Sequence, residues 1–555
     1  MLRPKTSTDV ASIGDIDIAF EEAKVRAIGD KVLTVCQDRA LREVWDFYHD
    51  DSMLTWNLRG SAGVGKSFTT KVLKDLLPYR NIAITAPTHK AKNVTEKFSG
   101  IPGETVHRLL GLRPNLDIED LDINNPQFDP QAEPSINQYD IIFVDECSMV
   151  GDTLYEFLVN EAARSRTKIL FIGDPNQLPP VRKAESKQSK SSGHKAVEGE
   201  SDNLEISRAF TECAGTSTLM TPARQSIDNP LYGLLVALRS DIDGSDEAFE
   251  GMIQVLKMLK IDIDPIAKAR GKCFGALIRN TSEMFSDNNE GFLVTSDRDV
   301  FTRRMLTDFT SPEFEADANY CRLMSFKNAV VKQWNILIRK ARMKGADDPL
   351  VEGDLVMAYK TIYNELQQVM ITNSEEYRIS SVEHEIMPVT ILKGGYPVDK
   401  DFTVKHITLE PLYSIGGASG YVVMPPYENF CEAHYYYHQE GLLRRAWRQY
   451  YAFKNRFLVL DDLTAIFEKR YGVLPNKDLD YAYGITVHKS QGSTYNRAYV
   501  NLKDILSYKP IATNAIVQRF HREPTAKEAA EINRYILKLV YVALSRASEQ
   551  GIALL

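Results

Sequence analysis

The segment Gly60-Ser61-Ala62-Gly63-Val64-Gly65-Lys66-Ser67 constrains this chain more than any other. It fills the pattern G-x-x-x-x-G-K-[ST] at every position. The pattern works only between a buried strand and a helix. Leu54 to Leu58 reads as that strand, and Phe68 to Leu77 as that helix. Glycines at the turn let backbone N–H groups point inward, and the helix N-terminus adds positive potential at the same place. Gly60, Ala62, Gly63, Val64, Gly65 and Phe68 would then shape a phosphate cradle. Lys66 would reach the outer phosphates, and Ser67 would ligate Mg²⁺. The alternative is a glycine-rich turn that binds nothing.

A nucleoside triphosphatase also needs carboxylates at a neighbouring strand end. The run Asp140-Ile-Ile-Phe-Val-Asp145-Glu146 supplies them. Its four apolar residues read as a parallel strand buried on both faces. Acids at the end of such a strand lie where α/β sheets hold their ligands. Asp145 is placed to hold the metal, and Glu146 to orient and deprotonate an attacking water. Alone, the pair would be ordinary acids at a strand end; beside the phosphate cradle it predicts a hydrolytic site.

With 555 residues the chain has length for several domains. It is 43% apolar and 26% charged, within the range of globular proteins. Its net charge of −8 argues against wholesale coating of nucleic acid, although a local basic groove is compatible with it. The six cysteines form no C-x-x-C pair and read as reduced thiols. No apolar run is long enough to span a membrane, and the N-terminus has no signal-peptide pattern, so a cytoplasmic location is expected.

Strand and helix patterns alternate over residues 54–225, after an amphipathic helix over 30–50 and a polar leader over 1–28 that reads as loosely held. Two stretches interrupt the first lobe. Residues 113–138 turn rich in Pro, Asn and Asp and predict a small insert. Residues 183–203 almost lack large apolar side chains and predict a mobile surface loop. After a mostly helical stretch, residues 352–425 become short Val-, Ile-, Thr- and Tyr-rich strands, followed by aromatic and Arg-rich helices to about 455. Residues 226–351 and 456–555 frame this β-rich module and read as the second α/β lobe.

Four further segments carry chemistry. Gly173-Asp-Pro-Asn-Gln177 ends an apolar strand and offers Gln177 to a γ-phosphate. Arg224 and Arg546 are candidates for neutralising charge on a transferring phosphoryl group. The loop Gly484 to Gly492 gathers Thr486, His488, Lys489 and Gln491, a mixture suited to phosphate and sugar contacts. Each taken singly has a plain structural reading as a turn, an ion-pair partner or a solvated loop.

Taken in order, these motifs resemble those of superfamily 1 DNA helicases in the RecD/Dda branch, with Dda-like helicases the closer in spacing. The resemblance covers roughly residues 30–555 and is weak over 183–203 and about 240–315. It implies that Gln37 reads adenine, that Pro87, Thr88 and His89 contact single-stranded DNA, and that His107, Thr486, His488 and Lys489 add further strand contacts. It further implies two RecA-like lobes around ATP and Mg²⁺, an SH3-like accessory domain within 352–455, and 5′→3′ translocation. The implied partners are single-stranded and forked DNA, with a single-strand-binding protein or replisome components as possible protein partners. The expected roles are replication, recombination or repair, and the Dda likeness hints at a phage.

The resemblance also implies a small wedge element inserted over residues 108–138, within which Phe128 is the sole aromatic residue. Phe128 is either a wedge that splits base pairs or a ring that packs the insert onto its lobe. Two rivals to the helicase reading remain at this stage. One is a single-strand translocase that displaces proteins with weak unwinding. The other is a nucleotide-gated DNA-binding scaffold with vestigial hydrolysis.

Overall fold

A computed structural model describes residues 13–77, 81–100, 103–114, 128–130, 133–179, 206–221, 229–244, 282–344, 348–363, 369–393, 396–414, 416–460 and 477–555. Three six-stranded sheets organise these residues. The first is wholly parallel, in the spatial order Gly103–Thr105, Ile82–Ala86, Ile141–Val144, Lys168–Gly173, Thr55–Gly60, Gly215–Leu219. Parallel strands must be covered on both faces, and Ile141 to Val144 and Ile169 to Ile172 are accordingly buried throughout. Two apolar clusters form on the two sides of this sheet, one around Leu41, Val72 and Leu170 and the other around Val106, Leu158 and Phe171.

The second sheet runs Gly484–Thr486, Cys321–Ser325, Tyr495–Asn501, Ala547–Leu554, Gly291–Thr295, Ser282–Phe285. It is parallel except for its last pair. Helix Ala526–Leu544 lies against it. A reciprocal Thr525/Glu528 capping box starts this helix, and Ile536, Leu537, Leu539 and Val540 are buried along it. The core of this lobe also takes in Leu178, a residue of the first lobe's segment after strand Lys168–Gly173. The two α/β lobes therefore share apolar contact as well as polar contact.

The third sheet is mainly antiparallel and belongs to the β module, with strands Phe457–Leu458 and Leu479–Tyr481 among its members. Short strands were expected here from the glycines. Instead, Glu376–Lys393 and Tyr396–Pro411 pair along nearly their whole length as one long hairpin. Alternating residues such as Ile379, Ile391, Val404 and Ile407 are buried, which holds that register. Helices Glu428–Arg444 and Trp447–Arg456 cover part of it, with Phe430 stacked on Phe453 at 5.6 Å. Arg322 of the second lobe meets Glu376 of the module at 2.5 Å, both fully buried.

The leader needs correction over the part described. Residues 13–28 form a helix instead of a loose segment. Phe20, Ala23 and Ala27 recur at helical spacing and are buried, and Phe20 meets Trp45 edge-on at 5.7 Å. Lys24 pairs with Asp38 at 2.5 Å, and Arg42 pairs with Asp17. The apolar stripe is thin enough to be hidden by the surrounding acids in the sequence. Within the insert, Leu112–Pro114 and Phe128–Pro130 pair as antiparallel strands, with Pro114 opposite Phe128. The 183–203 loop lies outside the described residues.

Candidate functional site

The phosphate-cradle segment leaves the strand Thr55–Gly60 at the point where that strand sits between Lys168–Gly173 and Gly215–Leu219. Gly63 and Gly65 both have φ of 84°, a left-handed conformation that side chains resist. Gly60 is required for a different reason: a Cβ there would lie 2.7 Å from Val64 Cγ2 and 3.1 Å from Leu219 Cβ. Helix Lys66–Leu76 begins immediately after Gly65, and no side chain caps its first turn. Its leading N–H groups are thus directed into the loop, as anion binding requires. Lys66 Nζ donates to the Gly60 and Ser61 carbonyls at 2.8 and 3.0 Å. Ser67 and Phe68 follow on the first turn, partly exposed.

Gln37 is buried behind this loop. Its Nε2 donates to the Val64 carbonyl at 3.4 Å, and its Oε1 accepts the Thr34 N–H at 3.0 Å in a capping box. The amide thus ties the helix Val35–His49 to the phosphate loop. Adenine reading would call on the same two groups.

Asp145 and Glu146 sit at the end of Ile141–Val144 in the adjacent part of the sheet. Asp145 Oδ2 accepts from the Thr95 hydroxyl at 2.7 Å, and Oδ1 accepts the Glu146 N–H at 2.8 Å. Glu146 itself holds φ of 50°, a costly conformation for a side-chain-bearing residue. Its Oε2 is enclosed and has no hydrogen-bond partner among the described residues. Burial pushes its pKa up, the Asp145 charge adds to this, and Arg546 and Lys66 oppose it. The result is a carboxylate that gains by accepting a proton, a property wanted in a general base.

Gln177 is also buried, and its Oε1 likewise lacks a partner among the described residues. The turn that carries it depends on Gly173, where a Cβ would meet Cys147 Sγ at 2.7 Å. Arg546 enters from the second lobe, at the end of helix Ala526–Leu544. Its guanidinium donates to the Val542 and Ser493 carbonyls at 3.2 and 3.3 Å and to Ser545 Oγ at 3.2 Å. Arg224 lies outside the described residues.

The sequence reading passed over the residue that joins the two lobes here. Tyr541 Oη, on the second lobe, donates to Asp174 Oδ2 at 2.8 Å and accepts the Ala62 N–H at 3.2 Å. Three residues earlier on the same helix, Lys538 Nζ donates to the Pro175 carbonyl at 3.2 Å, and burial lowers its pKa to about 8. Tyr541 was visible in the run leading to Arg546, but nothing in its spacing pointed to Asp174 or Ala62. Thr95 carried no signal either.

The candidate strand-contacting residues divide between the lobes. Pro87 and Thr88 end Ile82–Ala86, where Thr88 Oγ1 caps helix His89–Ser99 by accepting the Ala91 N–H at 3.2 Å. On the other lobe, a Cβ at Gly492 would lie 3.7 Å from Ala91 Cα. The 484–492 loop and the start of this helix therefore abut. Thr486 is buried at its strand end. His488 pairs with Tyr535 Oη at 2.8 Å, and burial lowers its pKa to about 4. Burial lowers that of His107 too. Both imidazoles are therefore held toward the neutral form, able to hydrogen-bond to a phosphate but without a charge to offer. Lys489 Nζ lies 4.1 Å above the Tyr359 ring and donates to Ser374 Oγ at 3.3 Å, so it links the loop to the β module.

The oxygen donors Ser67 and Asp145 are of the hard type that suits Mg²⁺, and the orphaned oxygens of Glu146 and Gln177 mark a site able to engage further polar groups. Among the described residues no cluster of three His, Cys, Asp or Glu forms a protein-only metal site. No described helix is long and apolar enough to cross a membrane.

Two parallel-sheet lobes meeting at a phosphate-cradling loop define a P-loop NTPase with RecA-like lobes. Residues 33–198 match the family described as an AAA domain. Over 126 residues the chain is 36% identical to the ATP-dependent RecD2 DNA helicase of Deinococcus radiodurans, covering 22% of this chain and 16% of that one. Over 132 residues it is 31% identical to the ATP-dependent DNA helicase dda of Enterobacteria phage T4, covering 23% and 29%. It is also 22% identical over 522 residues to the uncharacterized protein R530 of Acanthamoeba polyphaga mimivirus, covering 85% and 94%. A Bacteroides Pif1 helicase solved with ADP-AlF3 and ssDNA aligns over 94% of this chain and 92% of that one, with a TM-score of 0.42 and 14% identity. The matched stretches span less than a third of the RecD2 and dda helicases. Over these partial stretches the sequence is similar to RecD-type and dda DNA helicases.

Proposed function

We propose that the protein is an ATP-dependent DNA helicase that moves 5′→3′ along single-stranded DNA. The observation that carries this reading is the interface itself. The cradle, Asp145, Glu146 and Gln177 lie on one lobe, while the other lobe reaches them through Tyr541 and presents Arg546. A site divided in this way makes nucleotide chemistry sensitive to how the lobes meet. Sequence likeness to DNA helicases over part of the chain supports the choice of DNA.

In this reading the cradle amides and Lys66 bind the phosphates, and Gln37 supports the loop from behind. Mg²⁺, held by Ser67 and Asp145, would screen phosphate charge. Glu146 takes a proton from the attacking water, Gln177 orients the γ-phosphate, and Arg546 and Arg224 balance transition-state charge. Pro87, Thr88 and His89 on one lobe and Thr486, His488 and Lys489 on the other grip the strand alternately, with His107 as a further contact. Contacts of this kind go chiefly to the backbone, so binding is sequence-tolerant and salt-sensitive. The paired strands Leu112–Pro114 and Phe128–Pro130 carry Phe128 as the wedge, and the β module serves as the SH3-like accessory domain. The role is in replication, recombination or repair.

The test pairs two assays on the full chain. ATP turnover is measured with and without single-stranded DNA, then unwinding of duplexes bearing only a 5′ or only a 3′ tail. DNA-stimulated turnover with unwinding from the 5′ tail is the expected result. Stimulated turnover without unwinding supports a translocase instead, turnover indifferent to DNA overturns the motor reading, and preference for a 3′ tail reverses the polarity.

A further inference from the structure

An amide N–H has one hydrogen to give. The Ala62 N–H belongs to the cradle, yet it donates to a phenol that comes from the other lobe. That phenol is not loosely placed. Tyr541 is fully buried, and its own proton goes to Asp174, which is 1% exposed. Burial and the nearby Asp174 carboxylate push the phenol's pKa far up, so it stays protonated and its oxygen remains an acceptor for Ala62. Asp174 is fixed in turn by the Asn176 N–H at 3.0 Å. The chain of bonds runs from the cradle through the second lobe's helix back to the turn bearing Gln177.

We propose that Tyr541 is a positioning residue of the nucleotide site, whose hydroxyl holds the Ala62 N–H and yields it to a phosphate oxygen, so that phosphate binding and this contact between the lobes compete for one donor. The proposal rests on reading Gly60–Ser67 as the nucleotide cradle, and it makes Tyr541 the place where phosphate occupancy reaches the second lobe. Lys538 docks the same helix on Pro175 without touching the cradle, and it serves as the control.

The experiment titrates a fluorescent, slowly hydrolysed ATP analogue with Mg²⁺ into the full chain without DNA. Tyr541→Phe keeps the buried ring and removes only the hydroxyl. Freed of its competitor, it binds the analogue tighter by about two- to tenfold, the range set by one net hydrogen bond. Asp174→Asn weakens the anchor of the phenol and shifts affinity in the same direction by less. Lys538→Met lowers the melting temperature but binds as wild type does. The DNA-stimulation ratio of ATP turnover falls in Tyr541→Phe because the lobes no longer share that donor. Unchanged or weaker binding by Tyr541→Phe overturns the proposal. Equal shifts in Tyr541→Phe and Lys538→Met overturn it too, since they indicate loosened packing. Wild-type turnover that ignores DNA would sink the helicase reading while leaving the binding result to decide this one.

Discussion

Glu146→Gln removes a negative charge from a place that does not solvate it. The carboxylate is enclosed, its Oε2 has no partner among the described residues, and Asp145 is adjacent. Leaving a buried polar group unsatisfied costs about 1–3 kcal/mol, and more for a charge, while Lys66 and Arg546 return part of that. A gain near 1 kcal/mol is therefore expected on neutralisation, or about 2–4 °C in the melting of a lobe of this size. The φ of 50° is unchanged by Gln, so the gain comes from charge alone. The sign with pH follows from the raised pKa. The folded state favours the protonated acid, so Glu146 costs nothing below its unfolded value, begins to cost as pH rises above that value, and costs in full once pH has passed the folded value. The Tm advantage of Glu146→Gln is largest at neutral pH and disappears toward pH 4.5. ATP turnover falls by about 10²–10⁴-fold, the range for losing a general base, while nucleotide binding persists. Thermal melting across pH, together with ATP turnover and analogue binding, covers both halves. A variant that melts lower at neutral pH, or whose advantage persists unchanged in acid, refutes the electrostatic argument. Near-normal turnover refutes the role.

Arg546→Ala should cut turnover far more than nucleotide affinity, because its guanidinium spends its bonds on carbonyls and a hydroxyl and keeps its charge for the site; equal losses in both would refute this. Gly215→Ala should destabilise the first lobe by about 1–3 kcal/mol, since its Cβ would lie 2.1 Å from the Trp56 ring, which is stacked on Phe47; an unchanged melting temperature would refute that packing. His488 is depressed to about 4 against a reference value of 6.5, so its contribution is intact above pH 6.5 and is lost as pH falls toward 4, about 3 kcal/mol in all. His488→Gln should flatten that part of the acid limb of the stability curve, and an unaltered acid limb would show that the ring is not held neutral.

Much of the site was legible because its residues are consecutive. Gly60 to Ser67 and Asp140 to Glu146 each combine an apolar run with a chemical signature, and local backbone geometry requires both. Buried parallel strands announce themselves as unbroken apolar runs, so the α/β class was legible as well. The leader helix was not, since its stripe of Phe20, Ala23 and Ala27 is narrow and its meaning depends on Trp45 of another helix. The long strand pair escaped because alternating apolar runs on either side of two consecutive glycines look the same whether the strands are short or continuous.

By itself, then, the sequence determined the parallel-sheet class, the glycine-rich loop between strand Thr55–Gly60 and helix Lys66–Leu76, and the paired acids at a strand end, all consequences of short-range pattern. Only the tertiary structure decided which distant groups complete them. Thr95 reaches Asp145, Gln37 braces Val64, His488 faces Tyr535 and loses its charge, and Tyr541 crosses between lobes to Ala62 and Asp174. Such pairings join residues from tens to hundreds of positions apart. Burial and a shared donor depend on where two surfaces meet, and no local period in the chain encodes that.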